Sequence, residues 1–443
     1  MNAFAAAVVS VALLAIAPAA VHAQADGSTP LMLAIDRGDV EAATRLVRAH
    51  AEVNAANEYG ATALWIAAAG GHVPLVKLLL DAHANPNAAL RSGETPLMTA
   101  IDHGNAEAAA LLLARGADVN ARESKGGQTA LMWAVADRAP ALVTLLLGRG
   151  ADARARSMRG FTPLLFAAQQ GDVDSGRLLL QAGADVNDRS RLDRKTVLIV
   201  AAASGHAAFT GLLLEKGADP DLSDDRGFTA LHYAALDARG ADIVRILLAH
   251  HANPNPRTTK DSREYVNAGV NLAGATPLFF AASRGHVETV RALLANGADP
   301  FMTTDTGTAP LIVATWGGSP YAGDWTEDEK QNLLEVTRLL VERGADVNVT
   351  GEHGWTPLHG AAYKGMDAVV QFLVERGARL EVFDEYGQTP LSIANAVITV
   401  GSKDFYYQSS RVVRKSTADL LLKLGAKPLA ESGVQILELF YRK

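Results

Sequence analysis

Apolar residues along this chain fall into pairs of short helical stripes, separated by polar stretches, and the pattern recurs with a near-constant stride. Each copy opens on Thr-x-Leu, at Thr29, Thr62, Thr95, Thr129, Thr162, Thr196, Thr229, Thr276, Thr356 and Thr389, with a degenerate copy at Ala309-Pro310-Leu311. Successive copies lie 33, 33, 34, 33, 34, 33, 47, 33, 47 and 33 residues apart. A fixed period near 33 residues predicts a stack of small units in place of one globular core. Such a stack offers a long gripping surface more readily than a buried pocket for chemistry.

The copy beginning at Gly274 shows what each unit builds. Thr276 suits a helix N-cap, because its hydroxyl can accept from an otherwise orphan backbone N–H, and Pro277 suits the first helical position. Leu278, Ala281 and Ala282 give a short helix a small apolar side, and Gly285 ends it. A second helix carries Val287, Val290, Leu293 and Leu294 at spacings of three and four, and Gly297 closes it. The polar run to the next Gly-x-Thr is expected to form an extended β-hairpin finger.

The unit resembles the ankyrin repeat, whose pattern runs Gly-x-Thr-Pro-Leu-His-x-Ala-Ala, Gly-His, Val-x-x-Leu-Leu and Gly-Ala-Asp. Eleven units match from about Ser28 to Lys427. The resemblance implies an all-α repeat solenoid spanning residues 27–427, with helix-turn-helix units and β-hairpin fingers, followed by a C-terminal capping segment over 428–443. In that segment Val434, Ile436, Leu437, Leu439 and Phe440 are expected to cover the last repeat, since the end of a stack needs a cap. His50, His83 and His251 stand where the second helix ends in glycine, a place that needs a positive φ. The fourth unit has Asp137-Arg138-Ala139-Pro140 in place of Gly-His.

Three insertions break the period, at about 257–271, 317–330 and 398–415. The first lengthens a finger. The second separates the helices of the ninth unit and carries Tyr321, Trp325 and the acidic run Glu327-Asp328-Glu329; the third separates those of the eleventh and carries Phe405, Tyr406 and Tyr407. These aromatics either contact a partner or pack back onto neighbouring helices. The stretch from Thr356 through Ala394, with both inter-helix insertions beside it, resembles the end of exported bacterial ankyrin-repeat proteins.

Residues 1–23 read as a secretory signal peptide, with an apolar core from Ala3 to Ala20 and a small-x-Ala site at Val21-His22-Ala23. A retained membrane anchor is the competing reading. No later stretch reaches the ~20 apolar residues that span a bilayer. The chain has no cysteine, which removes disulfides, thiolate nucleophiles and Cys-ligated zinc. These features lead us to expect a protein exported by a bacterium to the periplasm, or alternatively to the extracellular space.

Net charge is −7, so no global basic field points to nucleic acid. Charge is nonetheless segregated. The third to sixth fingers carry Arg122, Lys125, Arg154, Arg156, Arg159, Arg189, Arg191, Arg194, Lys195 and Arg226, whereas later fingers present Asp305, Glu352 and Glu385 with the aromatics Trp355 and Tyr386. The arginines either form a basic strip for a partner or pair with Asp188, Asp193, Asp224 and Asp225.

Most of the twelve histidines are absorbed by the repeat: His232 and His359 fill the Thr-Pro-Leu-His place, His72, His206 and His286 the Gly-His place. No HExxH, nucleophile elbow, phosphate loop or dinucleotide fingerprint appears. The expectation is therefore a non-catalytic scaffold without metal or cofactor, monomeric, binding an acidic protein or peptide on its finger and first-helix face. A secreted effector engaging a host or competitor protein is the alternative. A small-ligand binder or enzyme using the ninth- to eleventh-unit insertions ranks below both.

Overall fold

The computed structural model describes residues 26–260, 271–316, 326–396 and 413–428. The expected signal peptide, most of the three insertions and the expected C-terminal cap lie outside the described residues. The chain divides into two compact units between Pro163 and Leu164. The first holds α1 (Pro30–Asp36), α2 (Val40–Arg48), α3 (Ala63–Ala69), α4 (Val73–Asp81), α5 (Pro96–Asp102), α6 (Ala106–Ala114), α7 (Ala130–Ala136) and α8 (Pro140–Leu147). The second takes nearly all of α9 (Pro163–Gln170), then α10 (Val173–Gln181), α11 (Val197–Ala203), α12 (Ala207–Glu215), α13 (Ala230–Leu236) and α14 (Ala241–Ala249). It continues through α15 (Pro277–Arg284), α16 (Val287–Ala295), α17 (Pro310–Trp316), α18 (Glu327–Glu342), α19 (Pro357–Lys364), α20 (Asp367–Glu375), α21 (Pro390–Ala394) and α22 (Lys415–Lys423). Those 22 helices among the described residues make eleven pairs, one per repeat. In both units, each first helix packs on its own second helix and on the first helices of adjacent repeats, while second helices pack on second helices.

The repeat's own residues explain each pair. The opening threonine caps the first helix: Thr62 accepts from Trp65 N at 3.2 Å, and Thr196 from Ile199 N at 3.1 Å. Two residues on, a leucine is buried in all eleven units, from Leu31 to Leu391. Three further on, always an alanine is buried, from Ala34 to Ala394. A spacing of three puts both on one helical face, and the methyl group lets the neighbouring helix come close.

The turns hold a second regularity. His50, His83 and His251 adopt φ values of 59, 63 and 62°, as their place after the second helix requires. Arg138, in the atypical inter-helix turn, stands at φ 53° where most units use glycine.

Two expectations need correction. The fingers are not extended β-hairpins: among the described residues only two isolated bridges occur, Ala56 with Thr62 and Arg189 with Thr196. Side chains take over the turn. Asn57 Oδ1 accepts from Tyr59 N and Ala61 N at 3.0 and 2.9 Å, and Asp224 Oδ1 from Arg226 N and Phe228 N at 2.9 Å each. Such Asx turns satisfy the backbone without a strand ladder. Also, the acidic run assigned to the second insertion is helical. Thr326 and Glu329 form a capping box that starts α18 at Glu327 and places three carboxylates in its first turn, where the helix dipole favours them.

Neighbouring repeats are tied by an asparagine at the finger base. Asn87 donates from Nδ2 to Gly116 O at 3.0 Å and accepts from Asp118 N at 2.7 Å; Asn120 does the same with Gly150 O and Asp152 N at 3.1 and 2.8 Å. In the second unit Asn255 bonds Gly297 O and Asp299 N, and Asn348 bonds Gly377 O and Arg379 N.

The buried histidines join repeats too. His232 Nδ1 accepts from Thr229 N at 3.1 Å, while Nε2 lies 3.2 Å from Ala275 O in the next repeat. His359 repeats this with Thr356 N and Gln388 O. An Nδ1 that accepts and an Nε2 that donates require the neutral ring. Burial pushes both histidines down to about 4.

Three outcomes are expected. Ala100→Leu overfills the helix contact and destabilises the first unit by about 1–3 kcal/mol, read from urea unfolding. Asn87→Ala destabilises by about 1 kcal/mol, with fluorescence and circular dichroism of the folded state unchanged. For His232 and His359 the unfolded chain takes up a proton near the ordinary 6.5 and the folded one only near 4. Their contribution is therefore complete above the unfolded value and declines as pH falls towards 4, by up to about 1.4 kcal/mol per pH unit for each ring. A urea midpoint that stays constant from about pH 7 to pH 5 contradicts the neutral assignment.

Candidate interaction surface

Within each unit the fingers stand side by side, linked tip to tip by backbone hydrogen bonds. Arg91 N donates to Tyr59 O at 3.1 Å, Ser124 N to Ser92 O at 2.8 Å and Met158 N to Gly126 O at 2.7 Å. In the second unit Asp225 N donates to Asp193 O at 3.3 Å, Thr259 N to Arg226 O at 2.8 Å and Glu385 N to His353 O at 3.0 Å.

This arrangement sorts the finger arginines into two kinds. Those ahead of the turn brace backbone: Arg122 Nη1 donates to Gly127 O at 3.0 Å and to Arg156 O, Arg156 Nη1 to Gly160 O at 3.0 Å, and Arg189 Nη1 to Ser223 O at 3.1 Å. Arg226 is half-buried, its backbone held by Asp224 and by the next finger. Arg154 lies lower on its finger, exposed, with its N–H on Asp152. Arg159, Arg191 and Arg194, together with Lys125, are exposed at or beside the tips.

The carboxylates that could neutralise the tips are otherwise engaged. Asp193 pairs with Lys195 at 3.2 Å, and hydrogen bonds from Ser190 and Lys195 hold it below its usual range although burial opposes them. Asp224 accepts from Tyr233 Oη at 2.8 Å, and Asp225 lies 3.9 Å from Lys260. Asp188 is buried and accepts from the N–H of Arg189. Lys195 also lies 5.0 Å from the Tyr233 ring centre. Among the described residues, Arg159, Arg191 and Arg194 make no ion pair.

The later fingers depart from expectation. Trp355 is only 4 % exposed: its ring lies 5.3 Å from Trp316 and 5.7 Å from Tyr363, so it packs the stack and offers no surface to a partner. Beside it, burial raises Asp384 above the ordinary carboxylate range, against hydrogen bonds from the Gln388 and Tyr386 N–H groups. Tyr386 is half-buried, its hydroxyl 3.3 Å from His353 Nδ1, which also meets Glu385 at 3.2 Å. Asp305 is bonded to Arg257 at 2.8 Å. Tyr321, Trp325, Phe405, Tyr406 and Tyr407 lie outside the described residues.

The charge pattern alone passed over three apolar fingertips. Tyr59, Met158 and Leu192 are 65, 63 and 76 % exposed, two of them next to a tip arginine. Their signal was an apolar residue set directly beside a charged one in a finger: Glu58-Tyr59, Met158-Arg159 and Arg191-Leu192. Among the described residues no group of three or more His, Asp or Glu is placed to hold a metal ion, and no helix is long and apolar enough to cross a membrane.

Family comparisons agree with this architecture. A family model described as ankyrin repeats (3 copies) matches residues 4–90, 31–123, 85–157, 122–190, 164–258 and 329–400, and a second ankyrin-repeat model matches 266–314. The chain belongs to the ankyrin-repeat family.

Among curated ankyrin proteins, the putative ankyrin repeat protein YahD of Escherichia coli is 29 % identical over 211 residues, covering 47 % of this chain and 92 % of YahD. Ankyrin repeat and SOCS box protein 16 of mouse is 35 % identical over 209 residues, 47 % of this chain and 42 % of that one. The bovine mitochondrial disaggregase is 34 % identical over 154 residues, 35 % of this chain and 21 % of its own length. The chain thus spans less than half the length of these last two relatives. The ankyrin domain of Bcl-3 aligns with half of this chain at a TM-score of 0.45 and 32 % identity.

The two kinds of arginine should separate by mutation. Arg122→Ala removes the tie between neighbouring ankyrin fingers and destabilises the first unit by about 1 kcal/mol. Arg159→Ala shifts stability by less than about 0.5 kcal/mol. Equal losses in urea unfolding would contradict the division.

Proposed function

We propose that this ankyrin array holds a protein partner along its fingertips and the neighbouring edges of the first helices, outside the bacterial cytoplasm. Ankyrin repeats are protein–protein interaction modules, and one observation carries the choice of face. In the second unit the tip cations Arg191 and Arg194 stay unpaired among the described residues while nearby carboxylates are engaged elsewhere, and in the first unit Arg159 is likewise unpaired. Exposed cations of one sign raise the association rate with an acidic partner and set its orientation. In the first unit, Leu33, Ile66 and Trp133 on the first helices are half-buried, leaving apolar area beside the fingers. Support for export comes from the apolar stretch before Val21-His22-Ala23 and the absence of cysteine.

The test is to express the whole chain with a C-terminal tag, separate periplasm from medium, crosslink, and identify captured proteins. A partner retained by the unaltered chain and lost when Lys125, Arg159, Arg191 and Arg194 are all changed to Glu supports the face. The helical circular-dichroism signal should be the same in both. Capture that survives the four reversals refutes it. Recovery of the mature chain from medium alone moves the target outside the cell, to a host or competitor protein.

A further inference from the structure

We propose that the fifth finger, from Asp188 to Thr196, is a recognition knob for an acidic polypeptide segment that carries an apolar side chain. The inference rests on the scaffold reading above and names its partner's chemistry. This finger is built unlike the others. The residue two places before the opening threonine is glycine in nine of the other ten units, and Gly307 holds the same place before Ala309. Here it is Arg194, at φ 57°. That conformation is unfavourable for a long side chain and is native to glycine. A glycine would relieve it; the arginine instead adds a cation at the tip. Backbone strain held by its surroundings is a recurrent sign of a working position.

The surroundings do hold it. Arg189 bridges to Thr196, Ser190 N donates to Lys195 O at 2.9 Å, and Ser190 Oγ donates to the Asp193 carboxylate. Lys195 closes on the same carboxylate at 3.2 Å, and the following finger bonds Asp193 O through Asp225 N. Every polar side chain at the base is thereby used inward. Three side chains at the tip are not: Arg191 and Arg194 are exposed, and Leu192 between them is 76 % exposed.

A stiff loop loses little conformational freedom on binding, so an apolar anchor flanked by two guanidinium groups is ready to dock. Each guanidinium can take a carboxylate in a two-pronged hydrogen bond. Leu192 asks for an apolar contact between those carboxylates. A polypeptide with an aliphatic side chain among acidic ones supplies both. A nucleic acid does not, since binding it relies on many phosphate contacts, and this chain carries a net charge of −7.

The proposal is tested with the purified chain and a short fluorescein-labelled peptide of Glu and Asp with one central Leu, read by fluorescence anisotropy at low and high salt. Saturable binding is expected, weakened about tenfold or more by Arg191→Glu with Arg194→Glu, and several-fold by Leu192→Ser or by Ser in place of the peptide's Leu. Arg194→Gly gives the most selective readout. Its melting temperature should equal or exceed that of the unaltered chain while peptide binding weakens. No binding at low salt overturns the proposal, as does binding that ignores all three tip substitutions. Capture of the cellular partner by the fifth-finger variants at full strength, alongside loss in the four-site reversal, retires the knob and leaves the wider scaffold reading standing.

Discussion

Everything in both units depends on how closely the first helices can approach, and one alanine decides it. Its methyl sits at the same place in all eleven first helices and is buried in every one. Around it the leucine three residues earlier supplies the apolar area that drives stacking, and the threonine that opens the helix keeps its backbone satisfied. Neither can act without the close contact. The second helices are freer: they carry most of the variation, including ion pairs such as Arg291 with Glu288 and Glu335.

Most of this was legible in sequence because it is repeated. A Thr-x-Leu with alanine at a fixed offset reports a helix start and its buried face together, and the left-handed histidines at 50, 83 and 251 followed from the glycines in equivalent places. What escaped was specified once, or by side chains that bond backbone. The fingers read as strands because they are polar and extended in the pattern. They are turns because Asn57, Glu123 and Asp224 complete the hydrogen bonding themselves. The capping box at Thr326 was visible, but the interrupted period hid it.

The surface was less legible than the fold, for a physical reason. Charge composition shows that arginines cluster in the central fingers; it does not show which register position each occupies. Three residues separate Arg156, braced on Gly160 O, from Arg159 at the tip. Trp355 misled in the same way: an aromatic in a finger segment reads as exposed, yet its place between Trp316 and Tyr363 makes it part of the packing. The asparagine links were in plain sight at Asn54, Asn87 and Asn120, but only their recurrence at the repeat period separates them from ordinary polar loop residues.

Those asparagines have a mechanical meaning. Each fastens one repeat to its successor by a pair of hydrogen bonds and reaches no further along the stack. Under tension such a fastening behaves as a row of independent snaps. Drawn from an end, a unit should peel one repeat at a time, each release feeding out some 33 residues, or about 110 Å of extended chain. A force trace would then show evenly spaced teeth, and loss of that spacing would reveal coupling beyond neighbours. A protein built this way yields in steps, keeping the rest of its binding surface intact while one end gives.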